Sequence, residues 1–309
     1  MNVFAEVRAA AARVVERARS VRVDEAALAA LADRLRADPP PPPTWDARTH
    51  HVGTPASRLA FVITLDAINF GSGWFPKLRK RAGRSGYYTI AMGLKDRFDA
   101  HGPWSADELR RLGAADLAAI TGQTLDDPEV AELMALFARA LRDLGALLAE
   151  RHGGRFEALV EAAGGSGARL VELLAEMPLY RDVARYDGFA VPFYKRAQIT
   201  VADLAIAFAG EGPGRFEDLD QLTCFADNLV PHVLRHEGVL RYAPALAERI
   251  AREELLPPGA PEEVEIRAAG VHAVERLVAA IRAGGGQATA HGIDMALWHR
   301  GQDPAIKAH

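Results

Sequence analysis

The stretch Asp127–Gly154, "DPEVAELMALFARALRDLGALLAERHGG", carries the clearest fold signal in the chain. Asp127 followed by Pro128 is typical of a helix start, and Gly153 with Gly154 is typical of a helix end. Between them, apolar residues recur three or four positions apart, so they share one helix face: Val130, Leu133, Met134, Phe137, Leu141, Leu144 and Leu148. The stretch therefore predicts one long amphipathic helix.

Helical patterns also dominate the rest of the sequence. Asp24 can cap "EAALAALADRLRAD", and Ser105 with Glu108 fits the S-x-x-E capping box. Further helices are predicted near residues 155–162, 168–176, 192–209, 244–255, 262–283 and 291–300. Alternation of apolar residues is confined to "YYTIAMG", which allows at most a short hairpin near residues 87–92. We predict an all-α fold.

The chain is expected to form one large multi-helix domain over residues 1–309. Its parts are N-terminal helices in residues 1–38, a stiff connector of five prolines in residues 39–43, and a helical body in residues 44–309. The length and the 49% hydrophobic content suffice for a substantial core.

Charge and cysteine content restrict the classes of function. The net charge is −4 and the pI is near 6.2, which disfavours a protein that grips a nucleic acid backbone and favours a small-molecule ligand. Cys224 is the only cysteine, which is compatible with a reducing compartment. No stretch approaches the ~18 uninterrupted apolar residues of a membrane span, and charges interrupt the N-terminus, so we predict a cytoplasmic protein.

The stretch Leu222–Leu240, "LTCFADNLVPHVLRHEGVL", combines a helical apolar stripe with a proline. Pro231 lies four residues after Asp227, so we predict a kinked helix in which the Asp227 carbonyl is freed. Asp227 is then either a helix cap or hydrogen-bond acceptor, or a carboxylate presented for acid/base or charge-stabilising chemistry. His232 and His236 have metal-ligand spacing, but the catalytic Glu of H-E-x-x-H is missing.

Three other segments offer candidate binding residues. Lys195 shares a helix face with Ile199 and Ile206, so it either snorkels at a helix end or points into a pocket. In "LDAINFGSGWFPKLRKRAGRSGYY", residues 65–88, the loop composition suits stacking and edge recognition of a flat ring, and the basic run that follows is either solvated surface or a phosphate site. Asp294 and Trp298 stand at i, i+4, on one helix face. They are either a core tryptophan with a neighbouring surface aspartate, or a pair that recognises a polar heterocycle.

Four motifs in series, "LDAINFGSGWFP", "PFYKRAQITVADL", "LTCFADNLVPHVLR" and "GIDMALWHRG", resemble the queuosine salvage family. The resemblance runs from about His50 to the C-terminus. It implies an all-α enzyme without a cofactor or metal that hydrolyses the N-glycosidic bond of queuosine 5′-monophosphate to release queuine for tRNA modification. By analogy only, the family's architecture is similar to helix-hairpin-helix DNA glycosylases.

The resemblance also implies roles for particular residues. Asp227 matches the family's catalytic aspartate and Lys195 its active-site lysine, while Phe225, Asp294 and Trp298 fall where the family builds its base pocket. The further substrate-binding candidates are His50, Asn69, Phe70, Trp74 and Asn228. Lys195 either keeps the Asp227 carboxylate ionised or binds the ribose or phosphate. Two alternatives remain open: a non-catalytic carrier of a 7-deazapurine base, and a metal-dependent hydrolase that uses His232 and His236.

Overall fold

The computed structural model describes residues 2–307, and its fold is predominantly α-helical, as predicted. Fifteen helices lie in this part of the chain. They are α1 (Val3–Val15), α2 (Glu25–Ala37), α3 (Pro55–Ala67), α4 (Gly86–His101), α5 (Ala106–Leu109), α6 (Ala114–Thr121), α7 (Pro128–Arg151), α8 (Phe156–Glu161), α9 (Gly167–Leu174), α10 (Lys195–Ala207), α11 (Leu229–His236), α12 (Pro244–Ala251), α13 (Pro261–Ala283), α14 (Ala290–Arg300) and α15 (Pro304–Lys307).

Strands make only a small contribution to the described residues. β1 (Val21–Val23) pairs antiparallel with β4 (Leu240–Tyr242), with Arg22 opposite Arg241. β2 (Val183–Tyr186) and β3 (Phe189–Pro192) form an antiparallel hairpin. None of the described helices is both long enough and apolar enough to cross a membrane.

The predicted helix starts are confirmed where a side chain caps the first turn. The Asp24 side chain accepts from the Ala27 N–H. Ser105 and Glu108 form the reciprocal capping box. Asp127 accepts from two N–H groups at the start of α7. These contacts satisfy backbone donors that have no partner within the helix.

The hairpin allowed near residues 87–92 is absent, because these residues lie within α4. Ser85 caps this helix by accepting from the Tyr88 N–H. Ile90, Leu94 and Phe98 are buried at four-residue spacing, so they form one helix face. The alternation that suggested a strand covered too few residues to compete with this longer pattern.

The predicted proline kink is also wrong. Residues 222–227 are irregular, and α11 begins only at Leu229. Pro231 is therefore the third residue of the helix, where its missing N–H breaks no intrahelical bond. Its ring packs against α13, since a Cβ added at Gly270 would lie 3.1 Å from Pro231 Cγ. The proline stabilises a helix start and its packing, and it bends no helix.

The chain divides into two compact units. Unit 1 takes residues 1–43, 182–198 and 218–309, and unit 2 takes residues 44–181 and 199–217. The first boundary falls at the end of the predicted proline connector, and another falls within α10. A single domain over residues 1–309 stays a prediction.

Each unit is built around one long helix. In unit 1, α13 packs against α1, α2, α11 and α14, and its buried residues include Val264, Val271 and Leu277. In unit 2, α7 packs against α3, α5 and α6. A Cβ added at Gly145 of α7 would lie 2.6 Å from the Ala106 carbonyl oxygen, so the close approach of α5 requires this glycine.

Candidate active site

Unit 1 brings Lys195 and Asp227 together although 32 residues separate them (227 − 195). Lys195 is the first residue of α10, and Asp227 lies two residues before α11. Lys195 Nζ is 3.7 Å from Asp227 Oδ2, with 24% and 10% of the respective side chains exposed. Because water has limited access to the pair, the two charges attract more strongly than a pair on an open surface.

The two oxygens of the Asp227 carboxylate make different contacts. Oδ1 accepts from the backbone N–H groups of Leu229 at 2.9 Å and Val230 at 3.0 Å. Oδ2 faces Lys195. The side chain thus binds two N–H groups in the first turn of α11, and it also presents its other oxygen to a lysine. The two alternatives weighed for this aspartate are compatible with each other.

Asp294 of α14 supports the segment that leads to Asp227. Its Oδ1 accepts from the Phe225 backbone N–H at 2.8 Å and lies 3.0 Å from the Cys224 thiol. The side chain is buried. Burial, followed by the negative charge of Asp227, raises the pKa of Asp294 to about 8. At neutral pH this carboxyl is therefore mainly protonated, unlike an exposed aspartate, and it can donate one hydrogen bond.

We predict that Asp294 makes stability depend on pH. Its pKa is about 8 in the folded protein against the ordinary 3.8, so the folded state holds the proton more tightly than the unfolded state. The stabilising contribution is full below pH ~4 and is lost as pH rises towards ~8. Wild type loses this contribution between pH 5 and pH 8, and Asp294→Asn does not. The free energy of unfolding of Asp294→Asn, minus that of wild type, should therefore be at least about 1 kcal/mol higher at pH 8 than at pH 5. Urea unfolding at both pH values measures this, and a pH-independent difference between the proteins would contradict it.

The other unit 1 candidates lie on the same two segments. The Phe225 side chain is buried, and Asn228 is exposed directly before α11. Trp298, one turn after Asp294, is half-buried, packs against the hydrophobic core of unit 1, and contacts the His299 ring edge-on. The structure therefore places Phe225, Asp227 and Asn228 on one segment, with Asp294 bonded to it.

Unit 2 carries the remaining candidates. His50 is buried, and its Nε2 lies 3.0 Å from the Tyr87 hydroxyl. Asn69 and Phe70 follow α3, and the Phe70 ring meets Phe137 edge-on with centroids 5.1 Å apart. Trp74 is half-buried in a short 3₁₀ helix. Their roles in binding stay predictions.

Sequence patterns missed an acidic group in unit 2. Burial raises the pKa of Asp203 to about 7. Burial, followed by the charges of Asp203 and Asp66, also raises the pKa of Tyr87. The available signal was that Asp203, like Lys195, is a charged residue in an otherwise apolar helix pattern. Groups with shifted pKa values are concentrated at functional sites.

The two histidines of α11 have different surroundings. His232 Nε2 lies 2.7 Å from the Ile306 carbonyl oxygen, and His236 is exposed. Within residues 2–307, no group of three or more His, Cys, Asp or Glu side chains is arranged to hold a metal ion. The metal-dependent hydrolase stays an alternative for experiment.

The basic run after the aromatic loop is partly engaged with acidic residues. Lys77 Nζ is 2.8 Å from Glu129, and Arg81 Nη2 is 2.7 Å from Asp96. Lys77 is exposed. Lys77 and Arg81 therefore each form an ordinary surface ion pair with an acidic residue.

The chain is thus a predominantly helical protein whose candidate site is a shielded carboxylate–lysine pair. Residues 49–308 match the family model described as queuosine salvage protein. Three relatives are each named queuosine 5′-phosphate N-glycosylase/hydrolase. The Sphaerobacter thermophilus protein is 42% identical, with 94% of this chain and 90% of the relative covered. The Dictyostelium discoideum protein is 34% identical, with 78% and 72% covered. The Bos taurus protein is 32% identical, with 85% and 80% covered.

This chain belongs to the queuosine salvage protein family. The match spans the four motifs from which the resemblance was inferred, so that prediction is confirmed. The analogy with helix-hairpin-helix DNA glycosylases stays an analogy.

Proposed function

We propose that this protein hydrolyses the N-glycosidic bond of queuosine 5′-monophosphate and releases queuine for salvage into tRNA. Family membership and the names of the relatives support this reaction. The observation that carries the proposal for the site is the Lys195–Asp227 pair, with 3.7 Å between Nζ and Oδ2. We place the reaction in the cytoplasm, where a lone buried thiol such as Cys224 stays reduced.

Asp227 is assigned the chemistry at the ribose. As the bond from C1′ to the base nitrogen breaks, its electron pair moves to the base and positive charge builds on the ribose. A carboxylate held beside C1′ stabilises that charge, and it can take a proton from the water that attacks C1′. The two backbone N–H groups that bind Oδ1 fix the orientation of this carboxylate before the reaction.

Lys195 is assigned the task of holding the charge and orientation of Asp227, since its ammonium faces Oδ2. Asp294 is assigned a shaping role, because it binds the Phe225 backbone next to the proposed stacking residue. Queuine is a 7-deazaguanine and lacks the ring nitrogen that purine glycosylases can protonate. Its departure therefore needs help elsewhere in the pocket.

The substrate is proposed to be the free nucleotide, without a stable nucleic acid complex, in keeping with the net charge of −4. We predict that kcat/KM for the nucleoside is at least ~10-fold lower than for its 5′-monophosphate, because a charge-assisted hydrogen bond to phosphate contributes roughly 1.5–3 kcal/mol. Incubation with the nucleotide, the nucleoside and intact tRNA, followed by chromatography for free queuine, measures this preference.

The same assay, extended by a measurement of queuine binding and by chelation, separates the alternatives. Equal kcat/KM values for nucleotide and nucleoside would remove the reason to invoke a phosphate site. Binding of queuine without release from any substrate would indicate a carrier. Loss of release after chelation, with recovery on metal addition, would indicate a metal-dependent hydrolase.

A further inference from the structure

The geometry points to Asp182 and Arg267 as positioning residues that hold Lys195 and Asp227 at their working separation, an inference that rests on the proposed function. Neither residue acts through a bond to the Lys195 ammonium or to the Asp227 carboxylate. Each is bonded to the backbone beside one member of the pair, and the two are bonded to each other.

Asp182 organises the turn that places Lys195. Its carbonyl oxygen accepts from the N–H groups of Phe193 at 2.9 Å and Tyr194 at 3.3 Å. Its carboxylate accepts from the Lys195 N–H at 3.1 Å. Tyr194 has φ +49, in the left-handed region that a non-glycine residue rarely occupies. Three consecutive hydrogen bonds to one residue hold this unfavourable turn, and Lys195 follows it directly.

Arg267 connects that turn to the Asp227 segment. Its Nη2 donates to Asp182 Oδ2 at 2.6 Å, and its Nε donates to the Ala226 carbonyl oxygen at 3.0 Å. The guanidinium also lies 4.0 Å from the Phe193 ring centroid. A planar guanidinium makes these contacts in fixed relative directions, which the single ammonium of a lysine cannot reproduce.

Charge and burial make it unfavourable to separate Arg267 from Asp182. The exposed fractions of the Arg267 and Asp182 side chains are 15% and 25%. Burial alone would raise the pKa of Asp182, but the charge and hydrogen bond of Arg267 outweigh it and hold that pKa below its usual value. The pair is therefore ionised at neutral pH, and separating its members would leave uncompensated charge in a shielded place.

The consequence concerns kcat more than substrate binding. If Arg267 is shortened, the turn before Lys195 and the backbone before Asp227 lose their common anchor. A displacement of about 1 Å at a reacting group can cost up to ~10²-fold in rate. Arg267→Gln should lower kcat by about tenfold or more and change KM less than about threefold. Arg267→Lys should give an intermediate kcat, because it restores the charge beside Asp182 and loses the bond to Ala226.

Arg276→Gln is the matched control. Arg276 lies nine residues further along α13, so it projects from the opposite face, and its Nη2 is 2.7 Å from Glu25. Arg276 and Glu25 form an arginine–carboxylate pair, as Arg267 and Asp182 do, and 47% of the Arg276 side chain is exposed. We expect its kcat and KM to equal those of wild type.

A double variant distinguishes positioning from simple structural support. In a Lys195→Met background, Arg267→Gln should lower single-turnover release by less than about threefold, because the Lys195–Asp227 contact that Arg267 maintains is already absent. An unchanged kcat in Arg267→Gln, or the same fold loss with and without Lys195, would overturn the inference. If Arg267→Gln does not fold, Asp182→Asn takes its place in the same cycle with the same expected pattern. Failure of wild type to release queuine would instead refute the proposed function.

Discussion

Asp227→Asn should reduce kcat for queuine release by ~10²-fold or more, the scale seen when one charge-stabilising group is removed from an active site. The substitution replaces a charged oxygen that faces Lys195 with an amide of nearly the same shape. The neutral side chain can neither stabilise positive charge on the ribose nor accept a proton from water. Binding of queuine, measured by calorimetry, should stay within about threefold of wild type, because ground-state contacts are retained.

The structure provides a matched control for folding. Asparagine caps helices about as well as aspartate, so α11 should still form. Asp127 caps α7 through the same pattern, with its Oδ1 accepting from residues two and three positions later, as Asp227 does. Asp127→Asn should therefore share any small effect on helix stability and leave kcat unchanged. Normal turnover by Asp227→Asn would remove Asp227 from the mechanism.

Local rules predicted the helix starts well. A cap is formed by residues two or three positions apart, so Asp24, Ser105 and Asp127 could be recognised from short windows of sequence. The same rules failed at Pro231. There the apolar residues of the segment before Asp227 are buried in irregular backbone, so their spacing of three or four residues imitated a helix that the chain does not form.

The candidate site depended on a different kind of information. Periodicity left Lys195 and Asp227 with two interpretations each, and the family resemblance decided between them. The structure places Lys195 Nζ 3.7 Å from Asp227 Oδ2, and the roles of the two residues stay a proposal. Asp182 and Arg267 carried no motif, and 85 residues separate them. A bond between such distant positions depends on how the helices pack, which no short window of one sequence encodes.

Glu265→Ala should cause the largest loss of stability among the changes considered for unit 1. The Glu265 side chain is buried in α13, and its carboxylate accepts from the backbone N–H groups of Arg19 at 3.1 Å, Ser20 at 2.7 Å and Val21 at 3.1 Å. It also accepts from the Tyr186 hydroxyl at 2.7 Å. One side chain thus joins the start of β1, the end of β2 and the central helix.

Alanine leaves these donors without their acceptor, and the two in buried hydrogen bonds, Val21 N–H and the Tyr186 hydroxyl, each cost about 1–3 kcal/mol when unsatisfied. We expect the free energy of unfolding to fall by roughly 3–5 kcal/mol, measured by urea unfolding with circular dichroism. Glu265→Gln should fall by less, roughly 2 kcal/mol, because the amide retains one acceptor oxygen.

Glu262→Ala on the same helix is the control for this measurement. Glu262 pairs with Arg249 at 3.0 Å, and 30% of its side chain is exposed. Losing such a partly solvated ion pair should cost less than about 1 kcal/mol. The contrast tests whether the donors that Glu265 binds, and not the loss of a carboxylate from α13, set the size of the effect. Equal losses in the two alanine variants would show that the contacts of Glu265 with residues 19–21 contribute nothing beyond an ordinary ion pair.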